Sequence, residues 1–343
     1  MEIGILGLPQ SGKSTLFEIM TGLNSRDRHG EQFVHGVSPV PDERFDRLVE
    51  IYRPAKISPA QVPFVDVNAS GERAWDAVRR NMGHVDGFIH VIDGFTTGDV
   101  QDIAAQYRKL TDDLILADML MVENRLERMG KAPKKAMGSL EALQAVLLPG
   151  IHDQLGKGGV IRELAFTEDE MKALKNFAFW TIRPELVVLN VGEETPPDMG
   201  EVRKALPPRT TVVDISCRME MEIMGLREED RRDFLVSLGV SEPAYEKIIR
   251  QAFLLLGRIS YFTVGEDEVK AWVVPGGVRA PQAAGVIHGD FERGFIKAEV
   301  VGYEAFMACN GSMSRVRASG KMRLEGRDYI VRDGDIMTFR FNV

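Results

Sequence analysis

Short apolar runs at 3–6, 62–66, 88–93, 186–190 and 211–216 have the length and composition of strands buried on both faces. Stretches of helical periodicity separate them, so the pattern predicts a mostly parallel sheet with helices on both sides, an α/β fold. Between the third and fourth strands, from about 109 to 180, the chain reads as helical throughout. Ile115, Met119, Val122, Leu126 and Met129 follow a four-three spacing, and Leu140, Leu143, Leu147 and Ile151 give a second stripe after the breaker at 131–134. Two antiparallel helices, an inserted coiled coil, are expected there. Beyond 256–257 the texture turns β-rich, at 260–264, 269–274, 296–301 and 329–331, with Gly, Pro and Asp turns between. The predicted domains are therefore 1–110 with 180–257, an insertion at 111–179, and a small separate domain at 258–343.

The first strand runs into Gly7-Leu-Pro-Gln-Ser-Gly-Lys-Ser14, which fits GxxxxGKS and is followed by an apolar-periodic helix. Glycines in such a loop let backbone N–H groups curl round phosphates, the lysine brings a point charge to the β and γ oxygens, and the serine offers a hydroxyl to magnesium. Leu8, Pro9, Gln10, Ser11, Gly12, Lys13, Ser14 and Thr15 are the candidate phosphate-binding residues. The run closing on Asp66 has the form of a Walker B strand, in which the carboxylate holds magnesium, although strands often end in Asp without such a role. Lys13 and Asp66 are the candidate catalytic residues, with Ser14 and Asp66 as metal ligands. Sites in such sheets form at the carboxyl ends of strands, where Gly7, Asp66, Asn190 and Ser216 all stand.

The 51 Asp and Glu against 43 Lys and Arg give a formal charge of −8, which argues against an overall electrostatic grip on nucleic acid. Two local features are basic. The turn of the helical insertion carries Arg125, Arg128, Lys131, Lys134 and Lys135 against Glu123 and Glu127, and is either a solvated hairpin end or an RNA-contacting tip. Residues 258–343 hold twelve Lys or Arg and eleven Asp or Glu. Among them Arg315, Arg317, Lys321 and Arg323 have no acidic neighbour between them in sequence, and read either as a flexible solvated loop or as a patch that meets phosphate. Cys217 and Cys309 are too few for a disulfide framework and lack zinc spacing, which fits a reducing compartment. With no apolar segment of membrane-spanning length, a cytoplasmic, membrane-free protein is expected.

Taken together, the chain resembles the YchF or Obg-like ATPase family of translation-factor-related P-loop proteins over nearly its whole length. The matches are 7–15, Pro41-Asp-Glu-Arg-Phe-Asp46, Ala117-Asp118 with Glu123-Asn-Arg-Leu-Glu-Arg128, Asn190-Val-Gly-Glu193, 280–288, Asp290-Phe-Glu-Arg-Gly-Phe295 and the final Phe339-Arg-Phe-Asn-Val343. The resemblance implies a P-loop NTPase G domain, an inserted helical coiled coil and a C-terminal TGS domain of β-grasp type. It also implies ATP hydrolysis with Mg2+ and association with the ribosome or another RNA-containing partner through the helical tip and the TGS domain. Oligomeric state stays open, with a monomer favoured.

Base selection has its own chemistry. GTP-selective relatives carry Asn-Lys-x-Asp, whose Asp accepts two hydrogen bonds from guanine. Here the segment is Asn190-Val191-Gly192-Glu193, so both Lys and Asp are gone and guanine loses its clamp. The matching family segment accompanies adenine preference. ATP over GTP is therefore predicted, with Asn190, Val191 and Glu193 and the final loop Ser216-Cys217-Arg218 on the base side; GTP binding or relaxed specificity is the alternative.

The departures from the family cluster at the γ-phosphate end. Asp66-Val67-Asn68-Ala69 replaces Asp-x-Ala-Gly, and a shortened path through Ser70 and Gly71 to Trp75 replaces the Gly-rich switch II loop. Near Gly30 the magnesium-binding threonine of switch I is missing, and Gln10-Ser11 replaces the Asn-Val pair that supports potassium in many relatives. His29 and His35 read as solvent-facing loop histidines, and His288 as part of the packing or hydrogen bonding of the last domain. No general base is identifiable, so slow ATP hydrolysis is expected, or a scaffold that binds nucleotide without hydrolysing it.

Overall fold

The computed structural model describes residues 1–24, 33–67, 83–131, 138–194, 196–237 and 239–342. The expectations for His29, Gly30, Asn68, Ala69, Ser70, Gly71, Trp75, Lys134 and Lys135 fall outside the described residues. The chain forms two compact units, 1–36 with 63–248, and 37–62 with 249–343.

The first unit opens with β1 (Ile3–Gly7) and α1 (Lys13–Thr21), followed by the start of β2 (Phe33–Pro39). Residues 37–62, kept with the first domain by the sequence reading, belong to the second unit. They contain α2 (Glu43–Tyr52) and β3 (Lys56–Ser58). The chain re-enters the first unit along β4 (Gln61–Val67), then continues through β5 (Gly87–Gly94), the 32-residue α3 (Val100–Lys131), α4 (Ser139–Gly156) and α5 (Glu168–Leu174). It ends with β6 (Glu185–Val191), α6 (Met199–Ala205), β7 (Thr211–Ile215), α7 (Cys217–Gly225), α8 (Glu228–Ser237) and the first part of α9 (Ala244–Leu255).

The strand order is β2-β4-β1-β5-β6-β7, and the ladders β4–β1, β1–β5, β5–β6 and β6–β7 are all parallel. β5 and β6 are almost wholly buried, which is why their sequences run apolar without alternation. On one face Leu6, Val65 and Phe88 pack with Leu110, Leu114 and Trp180. A second cluster joins Ile92, Val187 and Leu189 to Ile103, Tyr107 and Val202.

α3 spans the sheet and the insertion without a break, about 48 Å at 1.5 Å per residue. Its distal half packs through Ile115 and Val122 with Leu148, Ile151 and Leu155 of α4. The second stripe matches the predicted one in part: Leu147 and Ile151 join this cluster, but Leu140 is 52% exposed, and the buried positions of α4 are Gln144, Leu148, Ile151 and Leu155. Gln144 tolerates burial because its amide is satisfied, donating to Ala173 O at 2.8 Å and accepting from Arg125 Nη2 at 2.9 Å. Arg125 also pairs with Glu141, and Lys131 with Glu127, so part of the basic tip is neutralised within the hairpin.

The second unit completes α9 and adds β8 (Arg258–Val264), β9 (Glu268–Pro275), α10 (Ala280–Ile287), α11 (Gly289–Arg293), β10 (Phe295–Gly302), α12 (Tyr303–Met307), α13 (Met313–Ala318), β11 (Arg323–Glu325) and β12 (Asp335–Phe341). Its sheet has the order β11-β10-β12-β8-β9-β3, with β8–β9 an antiparallel hairpin and β12 returning parallel to β8 in the middle, the β-grasp arrangement extended by β3 at one edge. Ala280, Ala283 and Ala284 are fully buried, so α10 lies close on the sheet, where Tyr261 Oη donates to Ala283 O at 2.9 Å. Within the same unit the 41–46 segment starts α2. Asp42 caps it by accepting from Arg44 N, Phe45 packs against Phe262, and Arg44 bridges Asp42 and Asp333. His288 caps α11 by accepting from Asp290 N. Arg317 pairs with Glu299, and Arg323 with Glu325 and Asp335. Carboxylates outside the 315–323 run thus occupy two of the four cations read as an open patch, while Arg315 and Lys321 stay exposed.

Candidate functional site

The loop between β1 and α1 is shaped by two left-handed residues, Gln10 at φ 67° and Gly12 at φ 94°. Ser11 N donates to Leu8 O at 3.2 Å, and Leu16 N to Gly12 O at 2.9 Å, so the loop is a tight turn feeding directly into the helix. Alternating left-handed residues at a helix start turn successive N–H groups toward one point, an anion-binding concavity reinforced by the helix dipole. Two glycines are obligatory for separate reasons. A Cβ at Gly7 would lie 2.6 Å from both Ser11 Oγ and Val91 O, and one at Gly12 would overlap the Asn190 side-chain amide.

Asn190 joins the two halves of the site. Its Nδ2 donates to Ser11 O at 3.1 Å, and its Oδ1 accepts from Cys217 N at 3.1 Å. One buried side chain therefore ties the β1–α1 loop to the start of α7, which Ser216 caps by accepting from Met219 N. Burial pushes the Cys217 thiol up to about 12, so it is a neutral packing group in the wall.

A cleft of about 900 Å³ opens at the carboxyl ends of the strands, within the size range of ligand pockets. Gln10, Gly12, Thr15, Asn190, Val191, Glu193, Ser216 and Cys217 line it, joining segments far apart in sequence. Leu8, Pro9, Ser11, Lys13 and Ser14 shape the loop and the first turn of α1 beside it. Asp66, fully buried on β4 and in register with Ile5 of β1, sits on the neighbouring strand rather than in the cleft wall. Gly192 and Arg218, within the two segments expected on the base side, also line the cleft; the sequence reading missed Phe95, Thr96 and Glu194, which line it as well. Phe95 was within reach of the strand-end rule, since it follows the 88–93 strand directly. His35 has a carboxylate partner that the sequence hid, Glu2 Oε1 at 2.8 Å, and His84 meets the other oxygen at 2.6 Å.

A glycine-turned phosphate loop at the head of a parallel sheet, facing a second loop across one cleft, defines a P-loop nucleotide-binding protein of the G-domain class. The family model YchF-GTPase_C, described as a protein of unknown function (DUF933), matches residues 258–342. The chain is 38% identical to the ribosome-binding ATPase YchF of Haemophilus influenzae, and 34% identical to that of Bacillus subtilis, the alignments covering 99% of this chain and 99% of each relative. The structure of the Schizosaccharomyces pombe YchF GTPase is similar at a TM-score of 0.85 and 26% identity, over 99% of this chain and 97% of that one. The chain belongs to the YchF family.

Proposed function

We propose that this chain is a ribosome-associated nucleotide hydrolase that prefers ATP and turns it over slowly. The observation that carries the reading is the single cleft in which the phosphate loop and the Asn190–Glu193 and Ser216–Cys217 segments meet. The β1–α1 loop presents backbone N–H groups to the phosphates, and Lys13 neutralises charge at the β and γ oxygens. A hydroxyl at Ser14 and a buried carboxylate at Asp66 are hard oxygen donors of the type magnesium takes, so the residues present fit the ion. Held by these two groups, magnesium would supply positive charge to offset the charge that develops on the phosphate oxygens.

On the base side, Glu193 is exposed in the cleft where GTP-selective proteins carry a clamping Asp, and Phe95 offers an apolar ring face 45% exposed. The lost clamp favours adenine over guanine in this reading, while the ring would stack on either base. The names of the relatives divide on the same point, ATPase for the bacterial proteins and GTPase for the yeast structure. The two bacterial names also carry ribosome binding; in this chain Arg128, Arg315 and Lys321 are exposed cations suited to RNA phosphate. Residues 258–343 are assigned as the TGS-like module, 111–179 as the partner-facing arm, and the cytoplasm as the place of work. None of the described helices is long and apolar enough to cross a membrane.

The test is single-turnover hydrolysis of ATP in magnesium buffer, with and without ribosomes, beside Lys13→Ala. Hydrolysis well above the Lys13→Ala rate supports the reading. ATP bound equally by both proteins would refute the phosphate assignment.

A further inference from the structure

Phe95 is an exposed aromatic ring in a cleft wall, and an unusual amount of bonding is spent on the loop that carries it. Two residues before it, the Asp93 carboxylate accepts from Phe95 N at 2.9 Å, Thr96 N at 3.0 Å and Thr96 Oγ1 at 2.6 Å. This closes a side-chain-directed turn at the end of β5. The main chain of Asp93 is held in turn by one amide side chain. Gln106 Oε1 accepts from Asp93 N at 3.2 Å, and Gln106 Nε2 donates to Asp93 O at 2.8 Å. Gln106 is on α3, in the turns that pack on the sheet, and the same helix runs on to form the arm. Five hydrogen bonds from two side chains thus fix the backbone of one short loop, whereas the Phe95 ring itself stays open to the cleft. A loop whose purpose was only to connect β5 to α3 would not need its aromatic residue held outward. Left unbraced, the ring would have apolar surface nearby to collapse on, at Val191 beside Gly192.

We propose that Asp93 and Gln106 are positioning residues for the nucleobase. They hold the Phe95 ring in the cleft wall so that it stacks on the base, Asp93 from the end of β5 and Gln106 from the helix that bears the arm. The inference rests on the nucleotide reading above and adds to it the side chains that set base affinity. Neither positioning residue touches the phosphates, so their removal weakens only what depends on the base. Loss of the stacking that the positioned ring provides is expected to weaken ATP about tenfold.

The experiment measures equilibrium binding of ATP and of base-free tripolyphosphate, both with magnesium, to the full chain and to Gln106→Ala, Asp93→Ala, Asp93→Asn, Phe95→Ala and Lys13→Ala. Gln106→Ala, Asp93→Ala and Phe95→Ala are expected to weaken ATP about tenfold while tripolyphosphate affinity stays within about twofold of the parent. Asp93→Asn, which keeps one acceptor oxygen for the turn, should recover part of the loss, and combining Gln106→Ala with Phe95→Ala should add little to Phe95→Ala alone. Melting temperatures identify any variant that is merely misfolded, in which case Asp93→Asn and Gln106→Ala decide. The proposal is overturned if folded Gln106→Ala binds ATP as the parent does, or if tripolyphosphate weakens in parallel with ATP. If instead Lys13→Ala leaves both ligands unaffected, the nucleotide reading has failed.

Discussion

Replacing Gly12 with Ala strikes the site where backbone conformation and side-chain contact coincide. Gly12 sits at φ 94°, where an L-residue costs about 1–2 kcal/mol. The new methyl would also overlap the Asn190 amide, which has to leave. Its two hydrogen bonds, to Ser11 O and from Cys217 N, are each worth about 1 kcal/mol, and more where the abandoned groups stay buried. The sum is a loss of about 3 kcal/mol or more. Gly22→Ala supplies the comparison, because Gly22 is also left-handed, at φ 70°, but has nothing within 4 Å of its would-be Cβ. It pays the conformational cost alone, about 1–2 kcal/mol. Urea unfolding of both variants, together with ATP binding, separates the two contributions. Gly12→Ala should be the less stable by about 2 kcal/mol and should bind ATP poorly, whereas Gly22→Ala should bind as the parent does. Equal stabilities with intact ATP binding in both would refute the claim that Asn190 braces the phosphate loop.

Other perturbations test separate parts of the account. Leu148→Ala in the arm should cost about 2–5 kcal/mol and Leu140→Ala under about 0.5, a contrast read by urea unfolding that would reverse if the predicted stripe were the buried one. Cys217, buried with its thiol pushed up to about 12, should resist iodoacetamide at pH 8 until the protein is unfolded, as followed by mass spectrometry. Because its folded pKa lies above the unfolded value, the group stabilises the fold at neutral pH. That contribution is lost as pH rises from about 8.5 toward 12, so Cys217→Ala should show a shallower alkaline decline. Reversing Arg315 and Lys321 to Glu should lower co-sedimentation with ribosomes and flatten its salt dependence. Arg323→Gln, which removes a cation already paired with Glu325 and Asp335, should do less.

Much of this was legible in the sequence because it depends on local pattern. The five parallel strands read as uninterrupted apolar runs, and the GxxxxGKS spacing fixed the phosphate loop between its strand and helix. What escaped depends on tertiary partners. The α4 stripe was read correctly at Leu147 and Ile151 but without Gln144, because Gln144 looks like a surface residue until Arg125 and Ala173 O are seen to satisfy its amide. The basic patch at 315–323 looked unopposed because Glu299 and Asp335 reach it only across the sheet. The grouping of 37–62 with the second unit was hidden for the same reason, since Phe45 shows its partner Phe262 only in the fold. Asn190 was legible as a site residue, but its bridging of Ser11 and Cys217 was not, because that role lies in two backbone contacts that no motif encodes.

The central claim is that the cleft takes a nucleoside triphosphate and prefers adenine. Calorimetric titration of the full chain with ATP and with GTP, each with magnesium, tests it most directly. Saturable ATP binding tighter than GTP binding is predicted. Tighter GTP binding would contradict the reading of Asn190 to Glu193, and binding of neither would contradict the site.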